Sequence, residues 1–143
     1  MPHFLTDVTM TQFSGLENSW RRWTLVHPLV YERSEGHQIV CPEGFITDGP
    51  SIPRFLWAFL PVWGSWGRAG IVHDYICMLI ANGTPHLEAK NRTEADGIFY
   101  EAMVALGTGF FTRWAMYAGV RLGALMGVPT DSILYNADLL GGA

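Results

Sequence analysis

Charge is scarce in this chain. Asp, Glu, Lys and Arg make up only 15% of its 143 residues, against about 25% in an average globular domain. No basic run occurs and the formal net charge is −4, so no nucleic-acid partner is expected. Cysteine is equally sparse. Cys41 and Cys77 are the whole complement, too few for a disulfide-stapled scaffold. A clean membrane span is also missing. The most apolar stretch, GFFTRWAMYAGVRLGALMGV (109–128), is interrupted by Arg113 and Arg121. Each arginine would cost about 2.5–3.5 kcal/mol near a bilayer centre. The segment therefore reads as a buried or interfacial helix, with membrane contact allowed but not spanning. The opening MPHFLTDVTM lacks a basic start followed by an apolar core, so no signal peptide is expected.

What is present in excess is apolar surface. Hydrophobic residues make up 49% of the chain, six of them tryptophans. A chain this rich in them either builds a large core or hides surface against a partner, including a second copy of itself. Its length fits one domain.

Along the chain the signals change from strand to helix, predicting an α+β fold: an N-terminal antiparallel sheet of about three strands, then three main helices. The strand region is 1–49. FLTDVTMTQF alternates loosely, WTLVHPLVYE (23–32) is β-branched and aromatic, and HQIVCPEGFITDG (37–49) follows a turn at Ser34-Glu35-Gly36. Two such runs around a short glycine-containing turn predict a hairpin, with Pro28 marking an edge or a bulge. A Pro/Gly-rich connector occupies 50–65, with a short helix expected between Pro53 and Pro61. The helical region is 66–127. One helix is expected from about Trp66 to Ala81, stopping at Asn82-Gly83. A second runs from Lys90 or Thr93 to Leu106, stopping at Gly107. A third runs from Phe110 to Met126, closed by Gly127 and Pro129. Residues 128–143 form a tail. In the third helix Ala115, Gly119, Gly123 and Gly127 recur every four residues, a row that lets another backbone approach closely, either within the chain or from another subunit.

The chemistry concentrates at AGIVHDYICML (69–79), where His73 and Asp74 interrupt an apolar run. Burying such a pair costs free energy unless partners compensate it. The antiparallel second helix offers them. In NRTEADGIFYEAM, Arg92 and Asp96 are four apart, and Phe99 and Met103 continue the same face inward. Asp48, in GFITDGPSIP, either closes a turn with nearby backbone N–H groups or reaches the same cavity.

Two assignments fit these residues. In the first, Asp96 fixes one nitrogen of His73 and the other nitrogen acts as a base on water. Asp74 and Asp48 then hold a divalent cation, calcium in preference to zinc. Arg92, Arg68 or Arg54 is the anion or structural partner. That is a hydrolase constellation. In the second, the same groups form a buried arginine–carboxylate network with no reaction at all. A zinc variant of the first uses His73 and Cys77, at i and i+4, joined by Cys41 or Asp48.

CPEGFITDGPSIPRFLW (41–57), RAGIVHDYIC (68–77) and NRTEADGIFYEAM (91–103) together resemble an uncharacterised family of small proteins encoded by tailed phages and prophages. Its recurring elements are Gly-Phe-x-Thr-Asp-x-x-Ser-x-Pro-Arg, His-Asp-x-x-Tyr and Arg-x-x-Ala-Asp-x-x-Phe. The resemblance implies a phage origin, placing the protein in the virion or the bacterial host cytoplasm, with other phage structural proteins or copies of itself as partners. It implies no activity. The helix pair is also similar to bacterial-type phospholipases A2, in which His activates water, the adjacent Asp binds calcium and an Asp on the partner helix orients the His. By position those roles fall on His73, Asp74 and Asp96, although Cys77 stands where those enzymes carry a tyrosine. The expected function is thus a virion-associated or late phage protein with a His–Asp hydrolase-like site acting on an ester or cell-envelope component. Its alternative is a non-catalytic structural or tail-associated protein.

Overall fold

The computed structural model describes residues 2–6, 10–12, 23–47 and 67–125. Within them six short strands precede three helices: β1 (His3–Phe4), β2 (Met10–Gln12), β3 (Trp23–Leu25), β4 (Leu29–Ser34), β5 (His37–Cys41), β6 (Ile46–Thr47), α1 (Gly67–Ala81), α2 (Arg92–Ala105) and α3 (Phe110–Leu125). The fold is α+β, as the pattern of the sequence implies. The strands form two antiparallel three-stranded sheets, ordered β1-β4-β5 and β2-β3-β6. The expected short helix between Pro53 and Pro61, the closing Gly127 and Pro129, and the tail lie outside the described residues.

Proline and glycine explain why one expected strand becomes two. The 23–32 run divides into β3 and β4 around Pro28, which has no N–H to give to a ladder. The 37–49 run divides into β5 and β6 around Pro42 and Gly44, the latter at φ 86°. The β4–β5 hairpin closes through Glu35 and Gly36, as predicted. Leu29, Tyr31, Ile39 and Cys41 are its buried positions, alternating as a one-sided sheet requires.

Helix α1 is the centre of the molecule. It packs on β4 and β5 on one side and on α2 on the other. Ala69, Ile71, Val72, Ile76, Cys77 and Met78 are all buried, because a helix covered on two sides needs apolar residues around most of its circumference. Helix α2 starts where Asn91 accepts a hydrogen bond from the Glu94 N–H, while the Glu94 carboxylate accepts from the Lys90 N–H. This reciprocal arrangement satisfies donors that a helix start leaves open. Helix α3 lies against α2 and buries Met116 and Val120. Arg113, one of the two cations in its apolar run, donates to the Tyr100 hydroxyl and the Thr108 carbonyl. Among the described residues no helix is long and apolar enough to cross a membrane.

A polar strap joins the hairpin to the helices. Glu101 of α2 accepts from the Tyr31 hydroxyl at 2.7 Å and from the Arg33 guanidinium at 3.0–3.3 Å. Glu88, in the α1–α2 connection, meets Arg33 at 3.4 Å and His37 at 3.2 Å. Burial, then the hydrogen bond to Glu101, raises the Tyr31 pKa, so the phenol stays a donor.

Helices α1 and α2 end in the same way. The N–H of Gly83 bonds to the Ile80 carbonyl and that of Thr84 to Leu79. Gly107 bonds to Val104 and Thr108 to Met103. Gly83 and Gly107 sit at φ 84° and 76°, the left-handed conformation this cap demands. Nothing lies within 4 Å of a Cβ built at either, so only backbone strain opposes a side chain. Gly107→Ala and Gly83→Ala are each expected to cost about 1 kcal/mol, read as a lower midpoint of urea unfolding with an unchanged slope.

Candidate functional site

The helix pair brings His73 and Asp96 together. His73, in the middle of α1, places Nε2 2.6 Å from Asp96 Oδ1. The imidazole lies on Phe99, with ring centroids 4.9 Å apart. Phe99 is three residues beyond Asp96 on α2, so one face of that helix supplies both the carboxylate and the apolar floor. Asp96 is fully buried and His73 is only 8% exposed.

Arg121 completes the centre from α3, its Nη1 donating to Asp96 Oδ2 at 2.8 Å. One carboxylate therefore receives donors from both neighbouring helices, one on each oxygen. Arg92, one turn before Asp96, places Nε 4.0 Å from Oδ1. That Nε is buried and makes no hydrogen bond among the described residues. Arg121 entered the sequence reading only as an interruption of an apolar run. The signal was available: a cation in a buried helix needs a carboxylate, and Asp96 is the inward-facing one on the neighbouring helix.

Cys77, one turn after His73, joins the cluster. Its Sγ lies 3.5 Å from Nε2 and 3.9 Å from Nδ1 of His73. The sequence reading paired these two residues only as zinc ligands. His73, Cys77 and Asp96 do offer ligand atoms within 4.8 Å of one another. Nitrogen, sulfur and one carboxylate oxygen suit a zinc-class ion better than calcium, which takes six to eight oxygens. Such an ion would have to part the 2.6 Å His73–Asp96 bond.

The remaining predicted residues stand elsewhere. Asp74 is half-buried and is not part of that ligand cluster. It follows His73 by about 100° around the helix and lies towards the sheet, where its charge acts on the Cys41 thiol. The expected cation site joined Asp74 to Asp48, and Asp48 lies outside the described residues. Arg68 donates to the Thr6 carbonyl at 3.3 Å and lies over the Phe4 ring, tying α1 to the N-terminal segment. Asp48 and Arg54 lie outside the described residues. A second polar group, unforeseen, lines an open cavity of about 430 Å³: Arg33, Ser34, His37, Leu87, Glu88 and Glu101. Its carboxylates are already engaged by Arg33, Tyr31 and His37.

Electrostatics favour an ion pair at the centre. Burial opposes charge on His73, but the Cys77 sulfur and the Asp96 carboxylate outweigh it and push the imidazole pKa up to about 9. Burial likewise opposes charge on Asp96. The hydrogen bond and charge of His73, with Arg121 and Arg92, hold that carboxyl below its usual range. At neutral pH the centre is an imidazolium and an arginine sharing one carboxylate.

The chain matches the model of a family described as a protein of unknown function (DUF1353) over residues 23–120. That span covers more than half of the chain, from β3 to the end of the buried part of α3, and the chain belongs to this family. No curated protein and no solved structure matches it.

The ion pair sets a stability window. The His73 pKa is raised from its ordinary 6.5, so its contribution is complete below about pH 6.5 and lost as pH rises through about 9. The Asp96 pKa is depressed, so its contribution is present above the ordinary carboxylate range and lost as pH falls through the lowered value. Urea unfolding of the wild type from pH 5 to 10 should therefore show a decline that sets in above about pH 6.5 and is nearly complete by about 9, and that His73→Gln removes. Asp96→Asn leaves the buried His73 and the partly buried Arg121 without their anion and should cost on the order of 3 kcal/mol at pH 7. A cost under about 1 kcal/mol would place the network outside the determinants of stability.

Proposed function

We propose that this member of the family of unknown function is a phage-encoded, virion-associated or late protein whose His73–Asp96 centre hydrolyses an ester, with a cell-envelope component as the substrate class. The observation that carries the reading is the 2.6 Å bond between His73 Nε2 and Asp96 Oδ1. A buried carboxylate on one ring nitrogen fixes the tautomer and orientation of the ring and leaves the other nitrogen for proton transfer. Arg121 holds the second carboxylate oxygen, so Asp96 is itself held from turning. In this reading His73 moves the proton and Asp96 is its positioning residue. The phage setting is supported by the His-Asp and Arg-x-x-Ala-Asp elements at 73–74 and 92–96, in the order and spacing of the phage and prophage proteins they resemble.

A specific observation favours a second reading. Asp96 is 0% exposed and two cations converge on it, an arrangement that also serves to fasten three helices together. In that reading the protein is a structural or tail-associated component. Phe110, Phe111, Trp114, Leu122 and Leu125 of α3, all exposed, then supply contacts to other subunits.

The test is hydrolysis of short p-nitrophenyl esters and of glycerophospholipid vesicles by the purified chain and by His73→Gln, with thermal unfolding followed alongside. The hydrolytic reading expects a folded His73→Gln protein whose kcat/KM is lower by roughly 10²–10⁴-fold. Equal turnover by wild type and variant sinks it. No turnover by either, together with self-association in sedimentation that an α3 double variant (Phe111→Ser, Leu125→Ser) abolishes, establishes the structural reading instead.

A further inference from the structure

Two arginines from different helices meet one carboxylate. Arg121 of α3 gives Nη1 to Asp96 Oδ2 at 2.8 Å, and His73 of α1 holds Oδ1 at 2.6 Å. Each oxygen thereby has its donor. Arg92 of α2 brings a second guanidinium to the same carboxyl, its Nε 4.0 Å from Oδ1. That distance gives attraction but is too long for a hydrogen bond. Among the described residues no acceptor reaches this Nε, although it is enclosed. An enclosed N–H without an acceptor is costly, and this sets Arg92 apart from an ordinary solvated arginine.

The other carboxylates near the start and along the length of α2 are committed elsewhere. Glu94 accepts from the Lys90 N–H. Glu88 meets Arg33 and His37, and Glu101 holds Tyr31 and Arg33. Arg92 and Arg121 therefore share Asp96, two guanidinium charges to one carboxylate. An arginine keeps its charge at any pH a protein survives, so the surplus is not relieved by losing a proton. Nor is it sealed in, since 29% of the Arg92 side chain and 25% of the Arg121 side chain are exposed. A small anion can reach both.

We propose that Arg92 and Arg121 form a binding site for a phosphate group, carried either by a soluble phosphoester or by a lipid headgroup. A guanidinium fork pairs with phosphate or carboxylate oxygens two at a time. A carboxylate has two oxygens in one plane, enough for one fork. The oxygens of a phosphate point in tetrahedral directions, so one group accepts from two guanidinium forks that arrive from different helices. The phosphate sits on the solvent side of the forks with Asp96 behind them, and the two anions share the two cations between them. The site goes beyond both functional readings above. Binding needs no turnover, and it holds whether His73 moves a proton or only fastens helices.

The experiment is titration of the full chain with inorganic phosphate at low ionic strength, followed by calorimetry and by the thermal unfolding midpoint. Sodium chloride at matched ionic strength is the reference. The wild type should bind phosphate saturably, and its midpoint should rise with phosphate beyond any rise with chloride. Arg92→Gln removes no hydrogen bond among the described residues, so it should remain folded. Its phosphate affinity should fall by about tenfold or more. Arg92→Lys keeps the charge without the fork and should lie between the two; it carries the comparison if Arg92→Gln does not fold. Flotation with phosphatidylglycerol vesicles separates the sources. Vesicle binding that Arg92→Gln loses identifies a headgroup, and phosphate binding without vesicle binding identifies a soluble phosphoester.

Equal phosphate affinity in the wild type, Arg92→Gln and Arg92→Lys overturns the site. A wild-type response to phosphate no larger than its response to chloride does the same. Either result leaves the hydrolytic reading standing, because that reading is tested by turnover in His73→Gln.

Discussion

One carboxylate organises the helical half of this protein. Asp96 is fully buried on α2, its oxygens divided between His73 of α1 and Arg121 of α3. An unpaired carboxylate in that position would be intolerable, so the three helices can pack only where both donors arrive. The apolar face around it, Ile98, Phe99, Ala102 and Met103, supplies the attraction between helices. Asp96 supplies the address at which that attraction is satisfied.

The same centre carries a built-in tension. A network that fastens helices is best fully paired and dry, while a catalytic one keeps a nitrogen free and a path open. Asp96 and Arg121 meet the first requirement. The ring of His73 bears on the second, since only its Nε2 is bound to Asp96 and the Cys77 sulfur lies beside the ring, 3.5 Å from Nε2 and 3.9 Å from Nδ1.

Much of this was legible in residue order. The helix ends at Asn82-Gly83 and Leu106-Gly107 were marked by glycines whose positive φ the caps require, and the hairpin was marked by Ser34-Glu35-Gly36. The His73–Asp96 pairing followed from two antiparallel helices joined by a short connection. Asp74, about 100° further round the helix than His73, lies towards the sheet. Arg121 was missed because its partner lies 25 residues away on another helix, a separation that no local periodicity records. Cys77 was weighed as a zinc ligand and as a small buried hydrophobe. A thiol at i+4 from a histidine looks the same on paper whether it binds an ion or fills space.

The bond from Tyr31 and Arg33 to Glu101 also guards against error during assembly. These two residues alternate with Glu32, which points to the other side of the sheet and holds Gln38. Were β4 to slip by one position against its neighbours, Glu32 would meet Glu101 and like charges would face each other across the helix–sheet boundary. The misaligned hairpin would lose a phenol, a guanidinium fork and its electrostatic match together. Three consecutive side chains thus favour one register of the hairpin over its neighbours.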